Sequence, residues 1–170
     1  KHNLKVIEDS CEAMFVNYNG SPVGSLGDLS VFSTYVAHII VTGVGGIITT
    51  SDDELALMMK SLMFHGRDNI YLKMEDDDTK DRFKLSALIE RRFQFNYVGY
   101  SYRNTEMESA LGLAEMERKN YIIKRRKAVG LAITKALSSF QYFLQLPTAR
   151  ENAEHIYILY PIIIKIKKID

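Results

Sequence analysis

The chain has 170 residues, 22 Lys and Arg against 21 Asp and Glu, a formal net charge of +1 and 46% hydrophobic residues. That balance excludes intrinsic disorder as a general description. With no basic excess to displace counterions from phosphates, it also argues against nucleic acid as an obligate partner. A single cysteine, Cys11, excludes an internal disulfide framework, a four-cysteine zinc site and a self-contained iron–sulfur cluster, and makes a cytoplasmic compartment the default.

The apolar run 156–164 is broken by tyrosines and Pro161. It falls short of the ~18–20 residues needed to span a bilayer, so no membrane partner is expected. The sequence begins without methionine, enters a strand-like segment at once and stops just after another. It therefore reads as an internal piece of a longer protein.

In chain order, Leu4, Val6 and Ile7 lead into Glu8 and Asp9, as in a buried strand whose carboxyl end faces a site. Residues 10–16 are a short helix or a turn, and 17–22 carry dense turn chemistry. A second strand is predicted over 29–35, a glycine turn over 43–46 and a third strand over 47–50. Ser51 or Asp52 then caps a helix over 53–63. The segment 67–92 interrupts this alternation, and its acidic run 75–78 reads as a solvated excursion, not a metal site, because adjacent carboxylates do not converge on one ion. Thr105 with Glu108 forms a capping box for a helix whose apolar stripe is Met107, Ala110, Leu111, Ala114 and Met116. A second helix is predicted over 121–137, with Lys124, Arg125, Arg126 and Lys127 as its wet face. Strands over 142–146 and 157–166 follow. Alternating strands and helices favour an α/β layer architecture.

Three features carry chemistry. Asp9 ends a predicted central strand, where functional carboxylates of open α/β sheets sit and where a helix N-cap sits equally well. Ser33 and His38 straddle the end of the next strand, although a lone histidine there is more often a structural hydrogen-bonding group. The glycines of 43–46 match neither the Walker nor the dinucleotide fingerprint, so a tight turn is expected.

Order and spacing add a resemblance. The series is Val6-Ile7-Glu8-Asp9-Ser10-Cys11-Glu12-Ala13, Tyr18-x-Gly20-x-x-Val23-Gly24-Ser25-x-Gly27-Asp28, Phe32-Ser33-x-Tyr35-x-Ala37-His38 and Thr42-Gly43-x-Gly45-Gly46. It resumes at Gly99-Tyr100-Ser101-Tyr102-Arg103-x-Thr105-Glu106-Met107-Glu108 and, more weakly, at Glu154-His155-x-Tyr157. Together these resemble the DegT/StrS family of nucleotide-sugar aminotransferases and dehydratases, pyridoxal-phosphate enzymes of fold type I. The segment around 69–97 looks like an insertion.

The resemblance implies pyridoxal 5'-phosphate or pyridoxamine 5'-phosphate as cofactor. Asp9 would pair with its ring nitrogen, Ser33 would donate to its phosphate, and Glu12 and Ser101 would lie against it. Tyr35, Arg103, His155 and Tyr157 would approach a nucleotide-linked keto-sugar, in a site shared across a homodimer. Position 38 departs from the aminotransferases, which carry there the lysine that bonds covalently to the cofactor. Histidine cannot hold that bond but can move protons near neutral pH. His38 with Glu12 is similar to the sugar 3-dehydratase branch, although Ile39, Val44 and Ser101 depart from the usual family residues. The resemblance implies a three-layer α/β/α large domain over 1–119, with the start of a smaller α+β C-terminal domain over 120–170. Its activity would be dehydration at C3 of a 4-keto-6-deoxy sugar. Transamination and a catalytically inactive subunit remain the alternatives.

Overall fold

The computed structural model describes residues 2–67 and 79–165. The chain divides into two compact units, one built from Lys1–Thr49 and Glu106–Asp170, the other from Thr50–Thr105.

In the first unit, strands β1 (Ile7–Asp9), β4 (Leu29–Ser33) and β5 (Gly46–Thr49) form a mixed sheet in the order β1-β4-β5. β1 runs parallel to β4 with Asp9 opposite Val31, and β5 runs antiparallel with Gly46 opposite Ser33. β4 thus extends two residues past the end of β1. The first strand is not buried as expected: Val6 and Ile7 are 54% and 64% exposed. The reason is its place at the sheet edge, where only one flank is paired.

Residues 10–16 form turns, not a helix, with Phe15 in the left-handed region. A hairpin of β2 (Asn17–Tyr18) and β3 (Ser21–Pro22) follows. Asn19 and Gly20 at its tip have φ of 51° and 77°, the pair of left-handed residues that a two-residue turn matched to strand twist requires. The hairpin also holds a distant segment. The Asn19 amide donates to the Asn152 carbonyl at 2.8 Å, and the Glu154 amide donates to the Asn17 carbonyl at 3.0 Å. The core collects Met14, Val16, Ile39, Ile40 and Ile156, with Phe32, Ile122, Ile123 and Ile158 packed around them.

The two helices predicted over 105–116 and 121–137 are one, α3 (Glu106–Leu137), 32 residues long. Between the two predicted parts stand Glu117, Arg118, Lys119 and Asn120, with no proline or glycine to end the first. Its predicted stripe is not buried: Met107 and Leu111 are 77% and 55% exposed. Nor is the basic cluster wholly a wet face, since Arg126 and Lys127 are half-buried. Arg126 donates to the carbonyls of Tyr157 and Ile158, each at 3.4 Å. The two late strands are shorter than predicted, β6 (Leu144–Gln145) pairing antiparallel with β7 (Ile163–Ile164).

In the second unit, α1 (Asp53–Met63) starts where predicted, capped by Asp52, whose carboxylate accepts from the amides of Glu54 and Leu55 at 3.0 and 3.1 Å. Past its end, Gly66 packs backbone-to-backbone against Gly99. A Cβ on Gly66 would lie 1.9 Å from the Tyr97 carbonyl oxygen. A further helix, α2 (Arg82–Arg92), occupies part of the stretch read as an excursion, with Asp81 capping it through the amides of Phe83 and Lys84. Its apolar residues form no single stripe, and Phe83 is 90% exposed, so periodicity did not reveal it. The acidic run 75–78 lies outside the described residues. Among the described residues no helix is long and apolar enough to cross a membrane.

Candidate active site

The parallel pair β1–β4 brings its two carboxyl ends side by side, and this gathers the first site residues. Asp9 closes β1 and Ser33 closes β4. The Cys11 amide donates to Asp9 Oδ1 at 3.3 Å. Hydrogen bonding from the Cys11 side chain, then from its amide, holds the Asp9 carboxyl below the usual carboxylate range, outweighing slight desolvation. The same contact pushes the Cys11 thiol up, with burial and the Asp9 charge adding to it. Asp9 therefore stays charged while its neighbour stays a neutral thiol.

Ser33 Oγ accepts the Tyr35 amide at 3.2 Å, and its hydroxyl proton remains available to a ligand. The chain then enters a loop that carries His38, whose amide donates to the Tyr35 carbonyl at 2.9 Å. The Tyr35 and His38 rings stand edge to face, 6.4 Å between centroids. Immediately after it, Ile39 and Ile40 are 2% and 3% exposed and anchor the loop in the core. His38 Nδ1 is buried without a hydrogen-bond partner. An orphaned ring nitrogen in a folded protein is costly unless a ligand or a proton transfer uses it.

These groups fit the implied cofactor. A carboxylate held below its usual range matches a protonated pyridine nitrogen, a free hydroxyl proton matches a phosphate oxygen, and an unengaged imidazole nitrogen stands close by in sequence to take a proton. Pyridoxal phosphate, when bound, supplies an electron sink that stabilises negative charge on a substrate carbon.

The remaining predicted residues are placed differently. Glu12 is exposed on the turn after β1. His155 and Tyr157 flank Ile156, which shares the core with Ile39 and Ile40. His155 Nδ1 accepts the Tyr157 amide at 2.9 Å, leaving Nε2 as the outward nitrogen. Ser101 and Arg103 belong to the second unit, where Ser101 bridges to Phe64 and the Arg103 guanidinium lies 5.6 Å from the Phe64 ring.

Sequence reasoning missed Glu8 as a structural anchor. Strand alternation sends it to the face opposite Asp9. There its carboxylate accepts from the amides of Gly24, Leu26 and Gly27 at 3.1, 2.6 and 2.6 Å. Slight desolvation works against ionisation, but the three amides together outweigh it and leave the carboxyl below the usual range. The signal was present in the glycines at 24 and 27, whose amides are open to an acceptor.

The model of the DegT/DnrJ/EryC1/StrS aminotransferase family matches residues 1–170. The chain belongs to that family. Its similarity to curated members is spread along the whole chain. It is 34% identical to the lipopolysaccharide biosynthesis protein RfbH of Salmonella typhimurium, over 97% of this chain and 39% of that protein. It is 35% identical to the GDP-perosamine synthase of Caulobacter vibrioides, over 95% of this chain and 38% of that protein. The fold resembles that of the Escherichia coli GDP-4-keto-6-deoxy-D-mannose-3-dehydratase with bound hydrated PLP. There the TM-score is 0.79 at 24% identity, covering 98% of this chain and 41% of the other. The chain thus spans about two fifths of the length of these DegT-family relatives. The family includes both nucleotide-sugar aminotransferases and 3-dehydratases.

Proposed function

We propose that this chain is part of a pyridoxal- or pyridoxamine-phosphate enzyme of the dehydratase branch, removing the C3 hydroxyl from a nucleotide-linked 4-keto-6-deoxy sugar. The observation that carries the reading is His38, an imidazole with a buried, unpartnered Nδ1 at the position where the aminotransferases need an amine. Asp9 would keep the ring nitrogen of the cofactor protonated and Ser33 would donate to its phosphate. Glu12 would lie against the ring, and Ser101, on the 100–103 segment, would reach toward the cofactor of a partner subunit. Nδ1 of His38 would accept a proton and return it, a role worth about 10²–10⁴ in rate. Tyr35, His155 and Tyr157 would border the sugar, and Arg103 would approach the sugar bound to a partner subunit. The large cofactor-binding domain would take a three-layer α/β/α form, with 120–170 leading into a smaller domain, and a homodimer would complete the site.

Transamination is the second reading, supported by the similarity to a GDP-perosamine synthase. It requires a lysine at the cofactor, and position 38 does not supply one. Incubating the full-length protein with pyridoxal phosphate, reducing it with borohydride and weighing it intact separates the two. The dehydratase reading expects no added pyridoxyl mass, and a gain in mass overturns it in favour of transamination. His38→Asn is expected to retain the cofactor and lose turnover by about 10²–10⁴. A protein that fails to take up the cofactor at concentrations saturating a relative is the inactive homologue.

A further inference from the structure

The loop that carries His38 leaves β4 at Thr34 and returns to β5 at Gly45 and Gly46. Its neck is closed by a compact network. The Thr34 amide donates to the Gly45 carbonyl at 3.0 Å, and the Thr42 amide donates to the Thr34 carbonyl at 2.9 Å. Between these backbone bonds the two hydroxyls meet, Thr34 Oγ1 to Thr42 Oγ1 at 2.7 Å, and Thr42 Oγ1 lies 2.8 Å from the Val44 carbonyl. Both side chains are buried, at 3% and 7% exposure.

The Thr42 hydroxyl has two carbonyls in reach, Val44 at 2.8 Å and Thr34 at 3.4 Å. Either hydroxyl can donate to the other, and the arrangement with Thr34 donating to Thr42 and Thr42 to the nearer carbonyl uses both protons. The neck continues to Tyr35, which bridges to Gly43, so only residues 36–38 span from it to the core-anchored Ile39 and Ile40, and His38 closes that short arc.

We infer that the Thr34–Thr42 hydroxyl pair is a positioning device for His38, clasping the loop so that the imidazole is held rigidly while Nδ1 remains free for proton transfer. The inference rests on the reading of His38 as the acid–base group. Neither threonine touches a reacting atom; both act through the loop. Losing the Thr42 hydroxyl leaves the buried Thr34 hydroxyl without its partner and frees the Val44 carbonyl, a cost realised as opening of the loop.

The test is carried out on the full chain with Thr42→Val, which keeps the shape and removes the hydroxyl, and Thr42→Ser, which keeps the hydroxyl. Two rates are read: amide hydrogen exchange at His38, and its modification by diethyl pyrocarbonate mapped by peptide mass spectrometry. Thr42→Val should accelerate both about tenfold, whereas Thr42→Ser should stay within about twofold of the parent. In the loaded enzyme Thr42→Val should lower kcat with KM little changed. Should Thr42→Val fail to fold, Thr34→Val, which spares the bond to Val44, is read in the same way and should accelerate both rates about threefold. Unchanged rates in the valine variant, or equal acceleration in the serine variant, overturn the clasp. Faster rates in a protein whose parent has no turnover leave the clasp standing and reject the catalytic reading.

Discussion

At the scale of single residues, two adjacent carboxylates at the end of β1 have opposite employments. Asp9 accepts the Cys11 amide at the strand end, and Glu8 is consumed by three backbone amides. Because the Glu8 carboxyl is held low in the folded chain, its contribution is fully present above the unfolded value of about 4.3 and is lost as pH falls through the lower folded value. Asp28 follows the same direction, held low first by the Val6 amide and then by Lys5. We expect Glu8→Gln to destabilise the protein by about 1 kcal/mol at pH 7, the worth of one charge-assisted bond discounted for solvent. The gap should narrow as pH falls below the unfolded value and close only below the lowered folded value, as the parent carboxyl protonates. Urea unfolding at pH 7 and pH 3.5 checks this, and a gap independent of pH would count against the account. Motif order singles out Asp9, Ser33 and His38 as candidates, and it says nothing of Glu8, whose role depends on where a loop 16–19 residues away returns.

At the scale of elements, local signals served well wherever they were strong. The cap was legible as Ser51 or Asp52, because acceptor side chains stand directly before an apolar pattern, and the turn chemistry of 17–22 was legible from residue type, though not the two short strands it joins. The single helix α3 was not, because its apolar residues change face along its length and the reading divided it at the charged stretch. The left-handed backbone of Tyr157, φ 54°, was equally invisible. Its ring lies over Gly130 of α3, where a Cβ would approach the ring atoms to 2.4 Å. Those atoms are at the root of a side chain whose backbone is already unusual and fixed by Arg126, so they have little room to give. Gly130→Ala is therefore expected to cost about 1–3 kcal/mol despite the better helix propensity of alanine. A differential scanning melt that shows stabilisation would refute this packing argument.

At the scale of the molecule, apolar surface is the dominant unresolved demand. The core of the described chain rests on a handful of aliphatic side chains, whereas Leu4, Met107, Leu113 and Leu159 are 63–77% exposed. Sequence composition announced enough hydrophobic residues for a core but could not reveal that many would face outward in this stretch of chain. On the proposal that the chain is part of a longer protein, the isolated 170 residues should bind 8-anilinonaphthalene-1-sulfonate strongly and melt without a sharp transition. The full-length protein should do neither. A cooperative melt from a soluble monomer of the piece would contradict this.

The unbroken run of α3 has a mechanical consequence. Thirty-two residues at about 1.5 Å each make a rod about 48 Å long, and a rod pivots as a whole. A tilt of about 5° imposed on its first turns would sweep the far end through about 4 Å, carrying Arg126, Gly130 and the tyrosines leaning on them by an intermediate distance. Such a tilt would carry the Tyr157 region with the helix through its contacts with Arg126 and Gly130.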